Sequence, residues 1–312
     1  MNKSTKIRVN YLISGTISLF LLYCIYKQIL KQVNGINSSE WKQRDDTNYL
    51  LLSIFLMFVN ALLEGSKWYL LSRSVIAISY ARAFCSYLAG IAFSLITPNR
   101  IGEYPGRILY LGNNVFRYIT ASVLGITSQL LSIYIFGFLG LIFYNIKFPS
   151  LLAKLTLMVC LLIIITGAFI YLRFELYLPR LLQIKWLRKF KIYERSLNKV
   201  TTKQKIIILS MSLLRFFVFA AQYLFLLRWM NVNIPLAEGF CMAALFFWIL
   251  AIVPSVALTE LGVRGAVSIY LFQHFSTNSI GILVATLTIW LLNLILPSIL
   301  GCILIMRMKL LR

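Results

Sequence analysis

The chain has 312 residues, 60% of them hydrophobic and only 13% charged, with a mean hydropathy of +0.82. This excludes an ordinary soluble domain and a disordered chain; its continuous apolar runs of about twenty residues, in place of alternating segments of roughly ten, favour spanning helices over a membrane β-barrel. The 31 Lys and Arg outnumber 9 acids, a formal charge of +22, which in a multi-span protein without a nucleic-acid-binding module belongs to cytoplasmic loops near anionic headgroups and not to a nucleic-acid partner.

Lys3, Lys6 and Arg8 precede an apolar run from about Val9 to Ile29. The run is long for a signal peptide and no small-residue cleavage site follows, so a retained first helix with a cytoplasmic N-terminus is predicted. A mixed-charge loop, Lys31 to Asn48, leads to a second helix from about Tyr49 to Leu71. It contains Asn60, Glu64 and Lys67, and Lys67 is expected to snorkel to the cytoplasmic surface. The apolar segment Ala83–Ile96 is too short for a comfortable span before Pro98 interrupts it. Helices follow at about Tyr118–Tyr144 and Leu155–Leu172.

Residues 173–205 hold ten Lys or Arg against Glu175 and Glu194, a balance of +8. Interspersed Leu, Ile, Phe and Trp186 give this stretch the character of a basic amphipathic connector on the cytoplasmic membrane surface. The second half repeats the pattern: a helix at about Ile206–Leu227, a short apolar segment Gly239–Val253 broken by Pro254, an apolar return to Phe272, a polar turn at His274–Asn278, and a last helix at about Ile280–Met306.

These fixed points define a topology. With the N-terminus, the connector and the C-terminus all cytoplasmic, residues 83–117 must begin and end inside, and residues 239–278 must begin and end outside. Two full crossings need about forty residues plus a turn, which favours a hairpin for residues 83–117 and leaves two tilted, slightly short crossings open beside a hairpin for residues 239–278. The expected fold is therefore an all-α polytopic membrane protein forming one integral domain, with about six full spanning helices and two oppositely oriented re-entrant helical hairpins. The arrangement resembles an inverted repeat, with halves at about 1–172 and 206–312. Broken segments at corresponding positions of two halves point to a transport site near the midplane.

Each broken segment carries charge. The first, ITPNRIGEYPGR, contains Arg100, Glu103 and Arg107 together with Pro98, Gly102, Pro105 and Gly106. The second, VPSVALTELGVRG, contains Pro254, Glu260, Gly262 and Arg264, and repeats the Glu-to-Arg step of four residues. On a helix this step puts Glu and Arg on one face in the favourable order. Two uses are open: the pairs satisfy each other and stabilise the hairpins, or they bind substrate, since ionisable residues inside a membrane are functional candidates by default. Arg100 makes the first segment net positive and suited to gripping phosphate through forked hydrogen bonds. Glu103 and Glu260 are candidates to position the arginines or carry protons.

Asn60, Gln129, Gln222 and Asn293 are expected as interhelical hydrogen-bond partners, and the many aromatic residues as mostly lipid-facing or interfacial. The five cysteines stand singly in apolar runs with one histidine, His274, so neither a metal site nor a cofactor is predicted.

The two motifs resemble those of the lysylphosphatidylglycerol synthase transmembrane-region family, also called flippase-like membrane proteins. TPNRIGEYPGR is similar to that family's Pro-x-Arg-x-Gly-Glu element followed by an Arg, and ELGVRG to its Leu-Gly-x-Arg element. The chain departs from the pattern in having Pro254 to Glu260 where many members are Gly-rich, and Gly265 where an acid often follows the Arg. The resemblance implies a multi-pass protein of the prokaryotic inner membrane, with both termini cytoplasmic, acting on anionic phospholipids or polyprenyl-phosphate-type lipids. Bifunctional members add a soluble C-terminal domain for aminoacyl transfer; none follows here, so a transporter-like activity is expected in place of that enzyme activity.

Lipid translocation, with Arg100, Glu103, Arg107, Glu260 and Arg264 as substrate-binding residues, is the leading expectation. The alternative is a non-catalytic membrane partner that recruits an envelope-biosynthesis enzyme through its basic cytoplasmic surface. Homo-oligomerisation is open to either.

Overall fold

The computed structural model describes residues 16, 23, 47–95, 97, 100–112, 115–173, 200–253 and 257–306. The predicted first helix, the loop behind it and most of the basic connector lie outside these residues. The described chain is all helical, with nine helices and no strand: α1 Asn48–Val75, α2 Tyr80–Ser94, α3 Glu103–Leu111, α4 Val115–Lys147, α5 Leu151–Leu172, α6 Thr202–Trp229, α7 Leu236–Ile252, α8 Ala257–Phe272 and α9 Ser279–Met306. Five of them, α1, most of α4, α5, α6 and α9, are long and apolar enough to cross a membrane, and α7 and α8 are shorter apolar helices.

Local signals place the boundaries. Thr201 and Gln204 cap each other's backbone at the start of α6 as a capping box, and Ser79, Ser150 and Asn278 each accept from a first-turn amide of the helix they precede. Helix α9 is interrupted by a π-helical turn at Leu291–Ile295, a local underwinding that is frequent at functional sites. Here it carries Asn293.

Contacts at the helix ends sort them onto two opposite faces. On one, Tyr49 stacks on Phe225, Lys147 meets Glu238 at 3.4 Å, Phe148 packs on His274, and the Asn278 side-chain amide donates to the Met230 carbonyl at 2.8 Å. On the other, the Arg82 guanidinium donates to the Leu111 carbonyl at 3.0 Å, Tyr171 Oη donates to the Lys205 carbonyl at 2.8 Å, and Lys205 Nζ donates to the Leu172 carbonyl at 3.0 Å. Thus α2 and α3 start and finish on one face, and α7 and α8 on the other. The arms of the first pair, 15 and 9 residues, are about 22 and 13 Å long, against about 42 Å for the 28 residues of α1.

The first pair is closely packed. A β-carbon on Gly90 would lie 2.5 Å from the Glu103 carbonyl, and one on Gly106 would run into the Phe93 ring. In the intervening turn Thr97 Oγ1 donates to the Ser94 carbonyl at 3.2 Å and accepts from the Gly102 amide at 2.8 Å. This staple holds Arg100 at φ 59°, a left-handed conformation that costs a non-glycine residue roughly 1 kcal/mol or more.

Helices in lipid associate through close packing and hydrogen bonds, because lipid tails are as apolar as the side chains they would replace. The contact of α9 with α2 fits this, with Gly301 against the Leu88 carbonyl and Ser298 Oγ donating to the Ile91 carbonyl at 3.4 Å. The aromatic residues are less peripheral than expected. Phe216, Tyr223, Phe246, Phe247 and Phe272 form a buried cluster joining α6, α7 and α8, because ring stacking fills the space beneath the two short helices. Lipid-facing apolar residues concentrate on α5, where Leu151, Leu152, Met158 and Leu162 are exposed.

Candidate functional site

A chain of buried polar groups runs through the middle of the bundle. Its centre is Glu64 on α1, 1% exposed. One carboxylate oxygen accepts from Arg107 Nη2 at 2.8 Å; the other meets Lys67 Nζ at 2.7 Å and Arg215 Nη1 at 3.0 Å. Arg107 also donates to Glu103, its helical neighbour one turn back. Lys67 is fully buried, not snorkelled. Besides Glu64 it donates to Gln129 Oε1 at 3.2 Å and Ser212 Oγ at 3.4 Å, because these interior partners from α4 and α6 compete successfully with the surface.

Amides extend the network. Asn60 Oδ1 accepts from Arg215 Nε at 2.8 Å, Gln129 Oε1 accepts from Arg215 Nη1 at 3.0 Å, and Asn60 Nδ2 donates to Asn293 Oδ1 at 2.7 Å. Asn293 Nδ2 in turn donates to Gln222 Oε1 at 2.9 Å. The four amide side chains expected as interhelical partners therefore all take that part.

Arg107 sits in a cage. Its guanidinium carbon lies 5.1 Å from the Trp68 ring, 5.1 Å from Tyr87 and 5.0 Å from Tyr104. Two carboxylates and three ring faces satisfy a buried cation by pairing and by cation–π attraction. With 1% exposure, Arg107 faces away from any solvent-filled space.

Beside this network is a cavity of about 310 Å³. Its polar wall consists of Arg100, Glu103, Tyr104, Gln129, Arg215 and Arg264, and its apolar wall includes Phe216, Phe219, Phe247 and Leu250. Arg100 comes from the tip of the first helix pair, Leu250 and Ala251 from near the tip of the second, and Arg215 from the middle of α6, about 20 Å from either end of that helix. The cavity thus occupies the place where the two pairs meet, near half-depth.

Of the residues singled out in the motifs, Arg100, Glu103 and Arg264 line the cavity, and Arg107 stands behind it. The side chain of Glu260 lies outside the described residues, as do Pro98 and Pro254. Gly102 and Gly106 are packed into the first pair, Pro105 is exposed on α3, and Gly262 on α8 has open space around its α-carbon. Sequence reasoning missed Arg215 and underestimated Glu64. The available signal was a lone arginine at the centre of an apolar helix, which is as much an intramembrane charge as those in the motifs.

The arrangement is electrically lopsided. Among the described residues, Lys67, Arg100, Arg107, Arg215 and Arg264 stand against Glu64 and Glu103, five positive charges to two negative. Counting Glu260 from the sequence as negative still leaves an excess of two. In a low-dielectric interior such an excess attracts an anion.

The family described as "Lysylphosphatidylglycerol synthase TM region" matches residues 11–301, and the chain belongs to it. No curated protein and no solved structure matches the chain.

Proposed function

We propose, from membership of this family of multi-pass membrane proteins and from the charge of the cavity, that the protein moves an anionic phospholipid or lipid-linked intermediate across the bilayer in the manner of a flippase or scramblase. The excess of positive charge beside an aromatic wall carries this reading. Arg100, Arg215 and Arg264 would grip the headgroup phosphate with forked hydrogen bonds, while Phe216, Phe219 and Phe247 accept the first part of the lipid tail. Glu64 and Glu103 hold Arg215 and Arg107 in place, and Glu260 is assigned to the second motif as positioner or proton carrier.

In this reading α2–α3 and α7–α8 are re-entrant hairpins entering from opposite membrane faces, and six spanning helices, counting the predicted one before Asn48, form an inverted-repeat frame around them. Non-helical backbone at that depth is tolerated where it lines a cavity, which suits the turn carrying Arg100. The membrane is assigned as the prokaryotic inner membrane, with both termini in the cytoplasm. Alternating movement of one hairpin against the other would expose the cavity to each face in turn.

The test is translocation of a fluorescent anionic phospholipid in proteoliposomes, measured by quenching from outside. The Arg100→Ala/Arg264→Ala protein is expected to be slower by about tenfold or more, the scale of losing desolvated contacts to a charged group. Rates equal to those of the unmodified protein would overturn the site assignment.

A further inference from the structure

Resting on the reading of this cavity as a headgroup site, we infer that the cavity opens sideways into the bilayer past Leu130, and that this portal holds the hydrocarbon chains of the lipid whose headgroup sits inside. The chains then stay in the membrane while the headgroup crosses.

The packing of α4 against α7 leads there. Leu130, Tyr134, Gly137 and Leu141 are spaced four, three and four residues apart, so they share one face of α4. Towards the C-terminal end of α4 this face is covered. A β-carbon on Gly137 would run into the Trp248 ring, Tyr134 meets the same ring edge-on at 6.1 Å, and Leu141 is buried. Gly140 lies against the Cys241 carbonyl and Gly137 against Trp248, so the two helices run antiparallel. Leu130 stands seven residues before Gly137, and a counterpart seven residues after Trp248 would fall beyond Ile252, where α7 ends. The face of α4 therefore loses its cover at Leu130, which is 41% exposed.

The same leucine lines the cavity. Its neighbour Gln129, turned about 100° round the helix, accepts from Lys67 and Arg215. Leu130 thus marks the boundary between the polar centre and the outside of the bundle.

Depth decides what lies outside. Leu130 is about 22 Å from the start of α4 and about 25 Å from its end, and a hydrocarbon layer is about 30 Å thick. An opening there faces lipid chains and not water. The rim is of the same character, with Ile133, Leu250 and Ala251 partly exposed and Ile252 exposed at the tip of α7. Phe216, Phe219 and Phe247 continue the apolar surface inward. A chain laid along it stays on apolar ground from the bilayer to the headgroup, whereas an aqueous path would expose every methylene. A lipid matches both surfaces, its headgroup the polar wall and its chain the rim.

The experiment places the photo-reactive residue p-benzoylphenylalanine at Ile133, inside the rim, in the full chain reconstituted in vesicles of phosphatidylglycerol and phosphatidylethanolamine. The cross-linked partner is identified by mass spectrometry. A phospholipid joined through its acyl chain is expected, and Leu130→Trp in the same chain should reduce this adduct about tenfold by filling the opening. An adduct within the chain or with a second copy, or none at all, would overturn the inference. Independently, Leu130→Trp should slow translocation of the fluorescent anionic phospholipid about tenfold at an unchanged Tm. Leu162→Trp adds the same bulk at an exposed position of α5 and should leave the rate as it was; equal rates for the two variants would overturn the portal. A slow Arg100→Ala/Arg264→Ala protein beside a normal Leu130→Trp protein sinks this inference alone, and a chain that moves no lipid sinks the proposed function with it.

Discussion

Arg107 and Arg264 each follow a glutamate by four residues, each on a short helix beyond a proline, and they live in different surroundings. Arg107 is 1% exposed, gripped by Glu64 and Glu103 and enclosed by Trp68, Tyr87 and Tyr104. Arg264, 9% exposed, lines the cavity. The helices around them differ in the same sense. In the first pair glycines are pressed against the opposing arm, whereas Gly262, two residues before Arg264, has nothing within 4 Å of an added β-carbon. The same local spacing thus serves as an internal brace in one half and faces the proposed ligand in the other. What decides the difference is Glu64, a third-party carboxylate on α1 that reaches Arg107.

The largest expected effect comes from removing that carboxylate. Glu64→Gln leaves Lys67, Arg107 and Arg215 without their shared counter-charge, and breaking a buried pair on one side costs about 3–5 kcal/mol. Little monodisperse protein should survive in detergent, as read by size-exclusion chromatography and thermal unfolding. Adding Lys67→Met to it should recover part of the loss by removing one orphaned cation. Wild-type stability of Glu64→Gln would mean that the first motif is not braced as described.

Next come the glycines. Gly90→Ala drives a methyl group into the Glu103 carbonyl and the Arg107 side chain, an overpacking cost of about 1–3 kcal/mol. Gly262→Ala meets open space and should stabilise α8 by up to about 1 kcal/mol through helix propensity. Opposite shifts in Tm would sharpen the contrast between the pairs, and equal shifts would erase it. The smallest effect belongs to Lys147 and Glu238, 3.4 Å apart with side chains 46% and 29% exposed. Lys147→Ala should cost about 0–1 kcal/mol and leave translocation unchanged.

Much of the frame was legible in the sequence. Apolar runs located α1, α2, α4, α5, α6, α7 and α9 to within about four residues at each end. The prolines and glycines of 96–107 marked a sharp helix pair, and Asn60, Gln129, Gln222 and Asn293 announced themselves as polar groups that need partners across helices. The polar centre was not legible. Glu64 meets Arg107 across 43 positions and Arg215 across 151, and Asn60 meets Asn293 across 233. Periodicity reports which face of a helix is apolar, not which distant helix lies against it, so Lys67 read as a surface lysine and Arg215 drew no notice. The cavity is built from five separate segments, of which only Arg100, Glu103 and Arg264 carried a local signal.

The central claim is that the two motif arginines divide the work, Arg107 holding the fold and Arg264 facing the lipid phosphate. The most direct measurement pairs Tm with fluorescent-lipid translocation for the Arg107→Lys and Arg264→Lys proteins. Arg107→Lys is expected to lower Tm sharply, because a lysine loses the second carboxylate or the ring faces, while Arg264→Lys should keep Tm within a few degrees and slow translocation about tenfold. An Arg264→Lys protein that transports at the normal rate with its Tm intact would contradict it.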